Sequence, residues 1–271
     1  MKDIRDLTYL YWSKYRNSSG TAGSFLKSYS KESGNTIYYK LSDFDPINGI
    51  TGHECINEII ADRLLTILGI EHLSYDLIHA QINVDEKEYV TWLCSSVNFR
   101  KPGEKKAAFD SFFESNHLKN ETPLQFCERM GWADEIYKML VVDFLILNRD
   151  RHGANVEVLL DAYRHTIRLS PLFDHGLSLL FSCKDEKSLE QYNILEDKPV
   201  QCFVGSRSAM QNLNLIPEGS FPNMNPLKES DREFIMEGLD EAIDERWLEK
   251  IWQMIWARWN TYENFRNQKL R

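Results

Sequence analysis

The segment "WADEIYKMLVVDFLILN", Trp132 to Asn148, limits the possible folds more than any other part of the chain. It is apolar on nearly every face, as expected of a helix enclosed by a core rather than laid on a surface. Such a helix needs a sizeable helical body around it. The next residues, "NRDRHGAN" (Asn148 to Asn155), crowd ionisable and amide groups around one glycine. A buried helix ending in this way can act as a rigid post that aims a polar loop.

The rest of the chain is ordered around that post. The first third reads as strands with one helix. "NTIYYKLSDF" alternates, with Ile37 and Tyr39 on one face and Tyr38 and Lys40 on the other. "TGHECINEIIADRLLTILGI" predicts a helix, because Ile56, Ile60, Leu64 and Ile67 recur at helical spacing and Gly69 stands at the C-terminal cap position. "YDLIHAQIN" and "KEYVTWLCSS" are two further strands, and "SVNFRKPGEKK" reads as a connector. After it the pattern turns helical, broken by a hairpin of "NVEVLLD" and "HTIRLS". From Cys183 to Glu229 periodicity is weak and turn residues are scattered, which marks a long loop of functional interest. The last helix, "DERWLEKIWQMIWARWNTYENF", places Trp252, Trp256 and Trp259 on a core stripe. The order predicts an α+β, two-lobed fold. A strand-rich lobe would span residues 1–97 and a helical lobe residues 98–271, with a cleft between them as the natural ligand site.

Composition narrows the function classes. The chain has 271 residues and a net charge of −9, which argues against a duplex-binding protein with a basic face. No run of about 18 apolar residues is present, so no membrane span is expected. The N-terminus has no signal-peptide pattern. Five scattered cysteines without a CxxC pair fit reduced thiols and a cytoplasmic setting.

Asp150 is followed five positions later by Asn155. The protein-kinase pattern H-R-D-x-x-x-x-N has the same separation between its catalytic Asp and metal-binding Asn. One loop must present a carboxylate to an incoming hydroxyl and an amide oxygen to Mg²⁺, and a short turn aims both into one cleft. After the hairpin comes "FDHG", whose Asp174-His175-Gly176 has the D-x-G form of a metal-binding aspartate. Asn155 and Asp174 are hard oxygen donors of the kind Mg²⁺ prefers. A zinc site built from His152, Asp174 and His175 is the competing reading, but no spaced ligand pair such as HExxH supports it.

Phosphate contacts are sought upstream. "SSGTAGS", Ser18 to Ser24, could cradle phosphates on the backbone N–H groups of Ser19, Gly20, Thr21, Gly23 and Ser24, or be a plain hairpin turn. Lys40, near a strand end, is placed like a phosphate-contacting lysine, with Lys27 as a second candidate. The lysine needs a helix glutamate. Thr51 to Glu54 fits a T-x-x-E capping box, which would occupy Glu54 and leave Glu58 to reach Lys40.

These residues resemble a family. "SSGTAGSFLKS", "YYKLS", "GHECINEIIADRLLTILGI", "NRDRHGAN" and "LSPLFDHGLSL" look like the HipA-like serine/threonine kinases, bacterial enzymes with a kinase-like fold. The chain starts close to the glycine-rich loop, so it is expected to be a short form without the family's small N-terminal subdomain. The resemblance implies ATP and Mg as cofactors and Asp150 as catalytic base. It implies metal binding by Asn155 and Asp174, phosphate binding by Lys40, and a match of Asn57-Glu58 to the family's "NE". It also implies autophosphorylation candidates at Ser18, Ser19 and Ser24. The partner it implies is a protein substrate with a Ser or Thr hydroxyl, and it leaves room for an antitoxin-like partner of a toxin–antitoxin pair, with no direct nucleic-acid or membrane contact. A small-molecule or lipid kinase and a non-catalytic ATP-binding module are the alternatives of the same fold.

Overall fold

The structure, a computed structural model, describes residues 4–13, 25–32 and 34–269. Strand β1 (Arg5–Asp6) opens it. β2 (Lys27–Glu32) and β3 (Asn35–Lys40) form an antiparallel pair with Lys27 opposite Lys40. A small hairpin, β4 (Phe44–Asp45) and β5 (Gly49–Ile50), leads into α1 (Glu54–Leu68). β6 (Asp76–Val84) and β7 (Lys87–Val97) complete a five-stranded sheet in the order β1-β6-β7-β3-β2.

This sheet curls on itself. β1 and β2 are its opposite edges, yet Arg5 Nη2 donates to Glu32 Oε1 at 2.7 Å. Leu7, Leu10 and Trp12, just after β1, fill the interior against Tyr39, Leu41, Ile82 and Leu93. The alternation expected of "NTIYYK" is present: Tyr39 faces this inner core and Lys40 the opposite side, towards α1.

α1 forms where its apolar spacing predicts, and Gly69 closes it at φ 70° with its N–H on the Leu65 and Thr66 carbonyls. Its beginning corrects one expectation. Thr51 and Glu54 form no capping box. The β4–β5 hairpin brings Asp43 to the helix start, and the Glu54 carboxylate accepts the Asp43 backbone N–H at 3.0 Å. The other end of α1 is tied to the helical lobe, where Arg63 donates to the Ile235 and Glu237 carbonyls at 3.0 and 2.8 Å.

The chain beyond α1 carries a pH-sensitive joint. His72 presents Nδ1 to the Ile70 carbonyl at 2.6 Å and Nε2 to Asp62 Oδ1 at 2.9 Å. Both partners are acceptors, so the imidazolium, with both ring nitrogens donating, is the form that satisfies them. Burial opposes that charge, but the Asp62 and Ile70 hydrogen bonds outweigh it and raise the His72 pKa. The contribution to stability is therefore complete below the unfolded value near pH 6.5 and fades as pH rises through the folded value. Melting temperatures across pH 6 to 9 are expected to fall more for wild type than for His72→Gln, whose side chain does not titrate.

The helical lobe opens with β8 (Glu104–Ala108), followed by α2 (Phe109–Asn116), α3 (Pro123–Arg129) and α4 (Ala133–Leu145). α4 is the greasy helix, and Val141, Val142 and Leu145 are fully enclosed. β9 (Asp150–Arg151), β10 (Glu157–Asp161) and β11 (Thr166–Leu169) follow. α5 (Glu186–Gln191), β12 (Gln201–Cys202), α6 (Ala209–Leu213), α7 (Arg232–Met236) and α8 (Glu245–Lys269) complete the lobe. The expected hairpin is β10–β11, with Asp161 opposite Thr166. The expected connector is partly strand: β8 adds a third strand beside β10. Its charges hid it, because their partners lie on other strands and are invisible in the local sequence. Lys106 pairs with Glu157 at 2.7 Å, and Glu104 binds Arg168 through two hydrogen bonds of 2.9 and 3.0 Å.

Residues 183–229 are also more ordered than periodicity suggested. β12 pairs in parallel with β9. Arg258 of α8, 1% exposed, donates to the Phe144, Ile194 and Glu196 carbonyls at 3.1, 2.8 and 2.7 Å. That order comes from hydrogen bonds to distant residues, which leave no periodic trace in the sequence. On α8, Trp252 and Trp259 are buried, and Trp256 is half-buried and stacked on Trp252 at 5.8 Å. One core runs from α1 through α4 to α8, so α1 sits between the sheet and the helices. All five cysteines are free. Among the described residues no helix is long and apolar enough to cross a membrane.

Candidate active site

Three elements meet at Lys40. Its Nζ donates to Glu58 Oε1 of α1 and to Asp174 Oδ1, both at 2.6 Å. Lys40 is 8% exposed and Glu58 is fully enclosed. Burial alone would push the Lys40 ammonium down; Asp174 and Glu58 outweigh it and hold the pKa above its ordinary value, so Lys40 is a cation throughout the physiological range. Glu58 also accepts the His175 backbone N–H through Oε2 at 2.8 Å. One turn of α1 thereby grips both the sheet lysine and the "FDHG" loop. Asn57 strengthens the grip, donating through Nδ2 to the Gly176 and Ser178 carbonyls at 3.0 Å each.

The "FDHG" loop is held in an unusual backbone state. Asp174 has φ 59°, a left-handed conformation that non-glycine residues seldom adopt and that collects at functional sites. Its N–H lies 3.4 Å from the Tyr75 hydroxyl. Gly176 is closely packed: a Cβ there would lie 3.1 Å from Lys40 Nζ and 3.2 Å from Glu54 Cβ, so a larger residue would press on both.

The "NRDRHGAN" loop is built on the end of α4. Asn148 donates through Nδ2 to Asp143 Oδ1 at 3.0 Å, and its Oδ1 accepts the Asp150 N–H at 3.1 Å. Asn155 donates through Nδ2 to the Asp150 carbonyl at 2.8 Å. Its amide nitrogen is thus committed, and its carbonyl oxygen is the atom left for a cation. β12 braces the loop, with the Gln201 and Phe203 N–H groups donating to the Arg149 and Arg151 carbonyls at 3.0 Å. Burial raises the Asp150 pKa, and the neighbouring Asp174 charge adds to this against the opposing pull of His152. A raised pKa makes Asp150 a better proton acceptor.

Gly153 lets this loop touch α2. A Cβ there would fall 2.6 Å from Asp110 Cβ and 3.1 Å from the Asp110 backbone nitrogen. Gly153→Ala is expected to displace the loop, cutting any activity by more than tenfold while lowering melting temperature only modestly. Equal activity in the two proteins would count against the loop's placement.

His152 and His175 do not meet as zinc ligands. His152 Nδ1 accepts the Ala154 N–H at 3.1 Å, and its Nε2 lies 3.7 Å from Asp150 Oδ2. His175 is buried beside Glu58, and burial, with Arg151 second, holds its pKa well below the ordinary value. Among the described residues no three His, Cys, Asp or Glu side chains gather to hold a metal.

The donor chemistry fits a nucleotide with a divalent cation. Among the described residues Lys40 faces the carboxylates of Glu58, Asp174 and Asp150, and this gathering of carboxylates suits Mg²⁺ on hard oxygens. Of the predicted residues, Lys40, Glu58, Asp150, Asn155 and Asp174 are brought together. Ser19, Gly20, Thr21, Gly23 and Ser24 lie outside the described residues, as does Ser18. Lys27, opposite Lys40 in the β2–β3 register, shares its face of the sheet. Sequence reasoning missed Phe25, whose ring centre is 5.0 Å from Lys40 Nζ. It also missed Tyr75, for which the sequence carries no signal.

No protein-family model matches the sequence, and no curated protein matches it. The fold does match solved structures. The chain is similar to the Helicobacter pylori proinflammatory kinase CtkA, with a TM-score of 0.61 and 14% identity, over 99% of this chain and 98% of that one. A looser match is HipA in the Shewanella oneidensis toxin–antitoxin complex with HipB and operator DNA. There the TM-score is 0.41 and the identity 15%, over 96% of this chain and 60% of that one. The chain therefore has the α+β, two-lobed kinase-like fold, with a strand-rich lobe bearing one helix and a mainly helical second lobe.

Proposed function

We propose that the protein is an ATP- and Mg²⁺-dependent phosphotransferase, a HipA-like serine/threonine kinase that acts on a protein hydroxyl in the cytoplasm. The observation that carries this reading is the Lys40–Glu58–Asp174 cluster, two 2.6 Å ion pairs that join the sheet, α1 and the "FDHG" loop. The kinase-like fold shared with CtkA supports it. The cleft lies between a strand-rich lobe, residues 1–97, and a helical lobe, residues 98–271.

When bound, ATP would supply the γ-phosphoryl group and Mg²⁺ would offset its charge. Asn155 and Asp174 would hold the metal, and Lys40, fixed by Glu58, would hold the nucleotide phosphates. Asp150 would orient the acceptor hydroxyl and take its proton. Catalysis of this kind is chiefly positioning and electrostatics, which suits residues already anchored by buried hydrogen bonds.

The test has two stages. ATP should raise the melting temperature much further when Mg²⁺ is present, and mass spectrometry after incubation should show phosphate on Ser or Thr of the protein or of an added peptide pool. ATP-dependent stabilisation without transfer would favour a non-catalytic ATP-binding module. Transfer to small molecules or lipids alone would move the substrate class.

A further inference from the structure

Arg151 stands next to the proposed base, yet its side chain turns away from the cleft and is fully buried. Four donors of its guanidinium are spent on three different segments. Nε and Nη2 each donate at 2.9 Å to the two oxygens of Asp143, near the end of α4. Nη1 donates to the Asn155 carbonyl at 3.1 Å and to the Phe173 carbonyl at 3.0 Å. Asn155 is one proposed metal ligand, and Phe173 is bonded directly to the other, Asp174. Both loops are therefore referenced to one planar group, itself locked to a helix by a two-point carboxylate contact.

We propose that Arg151 is a positioning residue that fixes the separation of the two metal-binding side chains, Asn155 and Asp174. The inference rests on the reading of those residues as Mg²⁺ ligands. Mg²⁺ demands near-ideal octahedral geometry and tolerates ligand displacement poorly. A guanidinium can meet this need because its donors are fixed in one plane. A lysine ammonium is a compact charge on a flexible stem and could satisfy Asp143 without reaching both carbonyls. Burial opposes the Arg151 charge, but Asp143 outweighs this and holds the group charged, so the anchor does not titrate near neutrality.

The test compares wild type with Arg151→Lys, well below both melting temperatures, by two readouts. One is the Mg²⁺ concentration that half-saturates ATP binding, followed by nucleotide fluorescence. The other is ATP affinity without metal. Outer contacts of this type typically change metal affinity by about 10–100-fold. Arg151→Lys is expected to raise the Mg²⁺ requirement by roughly tenfold or more and leave metal-free ATP affinity nearly unchanged. A residue that served stability alone would lower the melting temperature and leave the Mg²⁺ requirement as in wild type, and that result would overturn the proposal. Should Arg151→Lys fail to fold, Asp143→Glu keeps the charge while shifting the guanidinium, and the same rise is expected. If wild type binds ATP with no dependence on Mg²⁺, the metal-site reading fails and the role of Arg151 falls with it. If wild type shows the dependence and both variants match it, only Arg151 is misassigned.

Discussion

Replacing Asp150 with alanine is expected to slow phosphoryl transfer roughly 10²–10⁴-fold while leaving Mg²⁺–ATP binding close to wild type. The geometry separates the two effects. Asp150 bonds the loop through its main chain, accepting the Asn155 side chain at its carbonyl and donating its N–H to Asn148. Its side chain is not what holds the loop, so truncation should spare the metal ligands. What is lost is a carboxylate whose pKa is raised by burial, placed to accept a proton. For the same reason the wild-type rate should fall as pH drops and Asp150 protonates. Binding that collapsed along with transfer would show that Asp150 holds the nucleotide rather than the acceptor.

Lys40→Met is expected to be the most destabilising of the substitutions considered. It removes the cation between Glu58 and Asp174 and leaves two carboxylates facing each other, one of them fully enclosed. Breaking a buried pair in this way costs about 3–5 kcal/mol. For a chain of this size that is a fall in melting temperature of roughly 10 °C. Stranded carboxylates have raised pKa values, so the loss should shrink as pH falls and they take up protons. Melts near neutral pH and at about pH 5 would show this, and a deficit that did not shrink would mean the ion pairs are not its source. Mg²⁺–ATP stabilisation should be lost as well. Asp174→Ala should weaken Mg²⁺–ATP binding while keeping the Lys40–Glu58 pair.

The periodic elements were legible in the sequence. α1, α4, α8 and the β10–β11 hairpin follow from residue spacing, since each buries a face set by a local repeat. Residue separation in the sequence picked out residues that the structure brings together: Asp150 with Asn155, then Asp174, then Lys40 with Glu58. Glu54 is engaged, but by the Asp43 N–H rather than by a helix cap. The missing parts share one cause. β8, β12, the residues after β1 and Tyr75 are specified by partners far away in sequence. Charged strands such as Glu104–Ala108 look like connectors until Arg168 and Glu157 are seen opposite them. For Arg151 the sequence suggests only a pairing or structural residue, and its buried partners show that it joins three segments.

The central claim is that this cleft moves the γ-phosphoryl group of ATP. The most direct test is incubation of purified wild type and Asp150→Ala with Mg²⁺ and γ-labelled ATP, together with a pool of Ser/Thr peptides, counting label on protein and peptide. The expected result is label from wild type on the protein, the peptides or both, and none above background from Asp150→Ala at matched nucleotide binding. Equal labelling by the two proteins, or no label from a wild type that binds Mg²⁺–ATP, would contradict the account.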